Sequence, residues 1–203
     1  MSPNTVVIVS AYRTALGSFN GYFKDTRAPE LGGAVIHHCY KTINLPPEKI
    51  NAVVMGCVLS AGLGQAPARQ AALNADLSVH TPCVTVNKMC GSGMKAVMLG
   101  HDAIKAGSAN IVLASGMESM SNAPYLLAKA RAGYRLGHGE IKDHIFLDGL
   151  EDAYDKGKLM GVFAEACAQH YQFTRETQDN FAITSLTRAQ AAIKDGKFKT
   201  EIT

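Results

Sequence analysis

A chain of 203 residues suits one large domain, or one domain with a piece of another. Hydrophobic residues at 47% and charged residues at 18% give a globular composition, which excludes an intrinsically disordered chain. A net charge of +3, from 20 basic and 17 acidic residues, argues against nucleic-acid binding, and no basic run is interleaved with aromatics.

The apolar run Val6–Val9 reads as a strand buried on both faces and is far too short to span a membrane. Residues 29–43 read as a helix with Leu31, Ala34, Val35, His38 and Thr42 on one stripe, ended by Pro46-Pro47. Residues 52–59 form a second expected strand, and residues 66–75 a short helix opened by Pro67. Val84–Val86 is a third strand. Residues 92–105 follow as a helix with Met94, Val97, Met98, His101 and Ile104 on one face, closed by Gly107. Residues 110–114 make a fourth strand. This alternation predicts an α/β layered fold with a largely parallel sheet and helices on both faces. Beyond residue 120 the texture changes. Residues 123–149 show no sustained period, and two helices follow at 160–171 and 175–194, the second N-capped by Thr174. The expected division is an α/β domain over 1–120 and a mainly helical one, without strands, over 121–203.

Cys90 stands where a β-branched stretch ends and a helical pattern begins, in Asn87-Lys88-Met89-Cys90-Gly91-Ser92-Gly93. A thiol near a helix N-terminus has its thiolate favoured by the macrodipole. Gly91 and Gly93 would leave room for an acyl group and free backbone N–H donors for an oxyanion. A buried structural cysteine is the competing reading. The five cysteines at 39, 57, 83, 90 and 167 are odd in number and show no CxxC spacing, which suits buried thiols in a reducing compartment. Gly62-Leu63-Gly64 lacks the remainder of a dinucleotide fingerprint and reads as a tight turn. His37 and His38 are adjacent on a helix and cannot chelate together, so no metal site is expected. Glu118 reads equally as a buried acid or as a carboxylate satisfied by backbone N–H groups. None of the seven histidines sits in a motif marking it as a base for Cys90.

Four segments together resemble the thiolases in order and spacing: residues 10–14, 64–70, 87–96 and 116–125. The likeness extends through Asp148-Gly149-Leu150, Met160-Gly161, Ala164-Glu165, Gln178-Asp179 and Asp195-Gly196-Lys197-Phe198. It implies the N-terminal half of a thiolase-type layered fold plus part of a loop domain. It implies that Cys90 is the nucleophile of an acyl-CoA C-acetyltransferase, accepting an acyl group from a thioester, with its own backbone N–H as an oxyanion donor. Leu150 and Met160 fall where the family contacts pantetheine. The implied partners are acetyl-CoA, acetoacetyl-CoA and CoA as substrates, without a separate cofactor, in a cytoplasmic homodimer or homotetramer bound to neither nucleic acid nor membrane.

Two departures accompany the likeness. Leu159 stands where biosynthetic members often carry a histidine, and the interval from Leu150 to Met160 is longer than usual. The family's Gly-His-Pro histidine and second cysteine have no counterpart here, so the chain alone is expected not to turn over. Competing readings are a non-catalytic acyl-CoA or lipid binder and a bare assembly module on the same fold.

Overall fold

The structure is a computed structural model, and it describes residues 5–203. By packing, these residues form two units, one of 5–149 with residue 203 and one of 150–202.

The first unit is built on a parallel sheet of β1 (Ala52–Gly56), β2 (Cys83–Val86) and β3 (Val112–Gly116), in the order β2-β1-β3. Helix α1 (Ala28–Thr42) precedes β1, α2 (Pro67–Asn74) joins β1 to β2, and α3 (Ser92–Lys105) joins β2 to β3. The sheet extends from β1 to one side and then to the other, so right-handed crossovers place α2 and α3 on opposite faces. Val53 and Met55 of β1 point into the main core with Ile36, Tyr40, Ala71 and Ala72 from α1 and α2. Their neighbours Val54 and Gly56 take the face toward α3 by strand alternation.

Helix α1 buries a different stripe from the expected one. Ala28, Pro29, Gly32, Gly33, Val35, Ile36 and Tyr40 are buried, whereas Ala34 and Thr42 are exposed. The glycines explain the rotation. A Cβ on Gly32 would lie 2.9 Å from Met117 Sδ and 3.0 Å from Met55 Cε, so the helix turns its thinnest side inward and seats directly on the core. The Tyr40 hydroxyl, buried in that core, donates to the Ala75 carbonyl at 3.0 Å.

Strand ends also move from their expected positions, for reasons visible in the hydrogen bonds. The first strand of the sheet stops at Gly56, because the N–H groups of Val58 and Leu59 donate to the Glu118 carboxylate instead of to a ladder. The ladder of β3 begins at Val112, because Asn51 Oδ1 accepts from both Asn110 and Ile111 N–H at 2.8 and 2.9 Å. Val6–Val9 forms no strand at all. Val7, Ile8 and Val9 are exposed, and no strand among the described residues lies alongside them. Ser10 and Tyr12 hold the following stretch to α1, the one through a bond to the Cys39 carbonyl and the other edge-on against His38.

The apolar face expected to bury α3 is the outward one. Met94, Val97 and Met98 are exposed, and the buried positions are Ser92, Ala96 and Gly100. Small residues let α3 lie close on the sheet, so its large side chains point away from it. Strands also occur past residue 121, contrary to expectation: β4 (Tyr125–Leu127) and β5 (Ile141–Asp143) pair antiparallel as a hairpin. Three residues each are too few to show a period in the sequence.

The second unit opens at the last residue of a π-helical turn, Phe146–Leu150, and contains α4 (Met160–His170) and α5 (Arg175–Lys194). Thr174 caps α5 as expected, its Oγ1 accepting from Thr177 N–H at 3.1 Å. Neither helix has a buried residue. Among the described residues no helix is long and apolar enough to cross a membrane.

Candidate functional site

The carboxyl ends of parallel strands share one edge of the sheet, where α/β folds place functional loops. Here three loops meet: residues 57–64 after β1, residues 87–91 after β2, and residues 117–119 after β3.

Glu118 ties the first and third together. Its Oε2 accepts from Val58 N–H at 2.9 Å and its Oε1 from Leu59 N–H at 2.8 Å. The Cys57 thiol lies 3.7 Å from Oε1 and donates to it. Burial, reinforced by the neighbouring Glu118 charge, pushes that thiol up to about 12, so Cys57 stays protonated and structural. Of the two readings of Glu118, the carboxylate satisfied by backbone N–H groups is the one the geometry bears out. Asn87 Nδ2 reaches the Val58 carbonyl at 3.5 Å, bringing the middle loop into the same network.

Cys90 sits in that middle loop, exposed, two residues before Ser92 opens the 14-residue helix α3. Strand, sharp turn and helix follow one another as the sequence pattern implies. The turn is strained at Met89, whose φ is +49°, a left-handed conformation that a long side chain adopts only when its surroundings hold it. Asn87 Oδ1 accepts from Met89 N–H at 2.9 Å, and Gly91 N–H donates to the Lys88 carbonyl at 3.1 Å. Ser92 is buried, and its Oγ accepts from Lys88 N–H at 2.8 Å while donating to the Met89 carbonyl at 2.6 Å. Among the described residues none accepts a hydrogen bond from Cys90 N–H.

The two glycines beside Cys90 do different work from each other. A Cβ on Gly91 would meet only the Lys88 carbonyl oxygen, at 3.4 Å, so this position faces open space. Gly93 instead lies against the sheet, its own Cβ position 3.7 Å from Gly116 Cα. Gly56 and Gly116 are register partners in β1 and β3, and a Cβ on Gly56 would come within 2.5 Å of Ser92 C and 2.6 Å of Gly93 N. Gly93 therefore sets the height of the helix over the strands and clears no space for a substrate.

Three of the histidines are occupied elsewhere. His37 and His38 pack edge-on against Tyr40 and Tyr12, which is ordinary packing. His144 is buried in the first unit; its Nε2 accepts from Ala61 N–H at 3.3 Å, and its Nδ1–H donates to Asp148 at 2.7 Å. Among the described residues no histidine hydrogen-bonds the Cys90 thiol, and no group of three His, Cys, Asp or Glu side chains could hold a metal ion. Of the five cysteines only Cys57 is buried; Cys90 and Cys167 are exposed, and Cys39 and Cys83 lie between. The expectation of mostly buried thiols is corrected to that extent.

Leu150 and Met160 belong to the second unit. Glu151 and Leu159 form an antiparallel bridge, and Asp152 N–H donates to the Lys158 carbonyl at 2.9 Å. The loop 151–159 is thereby closed at its neck, and Leu150 and Met160 stand one position beyond the bridge on either side. Both are partly exposed, at 39% and 47%. Inside the loop, Asp155 and Tyr154 N–H bond the Asp152 carboxylate and hold it below the usual carboxylate range.

Ser92 and Asn87 organise the Cys90 turn, yet their roles are not apparent from the sequence. A serine just after a Cys-Gly pair is a usable signal for a hydroxyl that ties a turn to a helix start. The partners of Glu118 lie some sixty residues away in the chain, so only the structure decides between its two readings.

Residues 6–203 match the model of the thiolase N-terminal domain. An acetyl-CoA acetyltransferase of Cupriavidus necator is 50% identical over 197 residues, covering 97% of this chain and 50% of the relative. One of Escherichia coli is 51% identical over 197 residues, again 97% of this chain and 50% of the relative. One of Saccharomyces cerevisiae is 50% identical over 204 residues, covering all of this chain and 51% of the relative. The chain thus spans about half the length of the curated relatives it matches. With the family's N-terminal domain matched across the described fold and through the Cys90 turn, the chain belongs to the thiolase family.

Proposed function

We propose that this chain supplies the acyl-accepting part of an acetyl-CoA C-acetyltransferase. The Cys90 thiolate attacks the thioester carbonyl of acetyl-CoA, and the carbonyl oxygen becomes an oxyanion. Collapse of that intermediate breaks the bond to coenzyme A, which leaves as a thiolate and takes up a proton, and Cys90 is left acetylated. Attack by the α-carbon of a second acetyl-CoA then forms acetoacetyl-CoA and frees Cys90; thiolysis is the reverse. A thioester suits both steps, being an electrophile and a comparatively acidic carbon acid.

One observation carries this reading: an exposed thiol on a strained strand-to-helix turn, beside a backbone N–H with no acceptor among the described residues. The N-terminal end of α3 adds partial positive charge where the oxyanion develops. Leu150 and Met160, flanking the loop neck, are the apolar contacts for the pantetheine arm. Five free cysteines support a reducing, cytoplasmic setting. A homodimer or homotetramer fits the family likeness. The general base and the second proton-transferring group come from chain that this sequence does not include.

The test is intact-mass spectrometry after exposure of the full-length protein to acetyl-CoA. The expected product carries one acetyl group at Cys90, and Cys90→Ala carries none. Undiminished acetylation of Cys90→Ala would overturn the nucleophile. The 203-residue chain alone is expected to give no thiolysis turnover; turnover by it would overturn the need for a further part.

A further inference from the structure

We propose that Ser92 is a positioning residue that aims the Cys90 N–H at the oxyanion, an inference that rests on the reading of Cys90 as the nucleophile. The Met89 carbonyl and the Cys90 N–H belong to one peptide unit, which is planar and trans, so they point in opposite directions. Fixing the carbonyl fixes the N–H. Two donors from the same residue fix it here: Ser92 N–H at 2.9 Å and Ser92 Oγ–H at 2.6 Å. The hydroxyl also accepts from Lys88 N–H at 2.8 Å, so one buried oxygen clamps both sides of the strained Met89. Both of its hydrogen bonds are spent inside the turn, and its burial against Gly56 leaves it no access to substrate. The consequence is that Cys90 N–H points out of the turn with no acceptor among the described residues.

Without the hydroxyl, the Met89 carbonyl keeps a single donor and the Lys88 N–H keeps none. The left-handed strain at Met89 then favours rotation of the Met89–Cys90 peptide, which turns the donor away from the reaction. The thiol itself remains on the turn. The two chemistries of Cys90 therefore separate. Acyl transfer passes through an oxyanion and needs the N–H, whereas alkylation by iodoacetamide is a direct displacement that forms no oxyanion.

The experiment uses the full-length protein and follows modification of the Cys90 peptide by mass spectrometry. For Ser92→Ala the rate of acetylation by acetyl-CoA is expected to fall on the order of 100-fold, the loss associated with one oxyanion donor. The alkylation rate should change by less than about threefold, and KM should stay near that of the wild type while kcat falls. Ser92→Cys, which fills the same space with a weak donor, should show the same divergence if the alanine variant does not fold. Equal loss of both rates, or no loss of either, would overturn the role of Ser92. Cys90→Ala is the control: retained acetylation there removes the nucleophile, whereas its loss beside an unaffected Ser92→Ala removes only the positioning role.

Discussion

Two cysteines near one sheet edge show how environment divides identical side chains. Cys90 is exposed on a turn, and Cys57 is buried one residue past β1 with its thiol bonded to Glu118. Burial first, and the Glu118 charge second, push the Cys57 thiol up to about 12. A thiol raised in this way is neutral at any pH where alkylation is run, and only the thiolate reacts. Iodoacetamide at about pH 8 is expected to modify Cys90 while sparing Cys57 until the chain is unfolded, as peptide mapping will read. The same shift carries a sign for stability. The folded value lies above the unfolded one of about 8.5, so the folded state holds this proton more tightly. The resulting stabilisation is complete below about pH 8.5 and is lost as the pH climbs toward 12. Cys57→Ser keeps a donor to Glu118 and removes the titration, so its stability should fall less than that of the wild type between those limits. A parallel decline in denaturant midpoint for both proteins would show that Cys57 contributes nothing to alkaline unfolding.

At the scale of elements, the packing of α3 on the sheet rests on the absence of side chains. Gly56→Ala would place a methyl within 2.5 Å of Ser92 C and 2.6 Å of Gly93 N, both backbone atoms that cannot rotate away. The helix must lift, at a cost of about 1–3 kcal/mol typical of overpacking, and the denaturant midpoint should fall with an unchanged slope. An unaffected midpoint would mean that the helix start is already loose. Such glycine contacts also explain what the sequence does and does not disclose. Helix positions were legible: residues 92–105 and 175–194 are helical over the expected ranges, and Thr174 caps the second. The buried faces of α1 and α3 were not, because hydrophobic periodicity marks large apolar residues, and here the close contacts belong to Gly32, Gly33, Gly93, Ala96 and Gly100. Strand ends were displaced by side chains distant in sequence, Asn51 and Glu118, that take backbone N–H groups out of the ladder. Cys90 was legible as a thiol between strand and helix, while the hydroxyl that holds its turn became visible only through distances.

Across the molecule, burial is distributed unevenly between the two units. The first encloses Ile36, Tyr40, Val53, Met55, Ala71 and Ala72, each no more than 2% exposed. In the second, α4 and α5 contain no buried residue, and Phe163, Phe181, Ile183 and Leu186 are all 40% exposed or more. Isolated helices shorter than about 12–15 residues are marginal in water, and most helical stability comes from packing an apolar face. The 11-residue α4 buries no side chain among the described residues, and the 20-residue α5 depends on length, its Thr174 cap and the Arg175–Asp179 pair. Opening free energies should therefore diverge, approaching the global value in β1 and α2 and lying near zero in α4. Hydrogen exchange on the 203-residue chain is expected to release the amides of 160–170 first, those of 175–194 next, and those of 53–55 and 68–75 last. Limited proteolysis should cut within 150–202 before it reaches 28–117. Equal protection in both units would show instead that the exposed apolar faces of α4 and α5 are covered in solution, and a concentration dependence of that protection would identify a second copy of the chain as the cover.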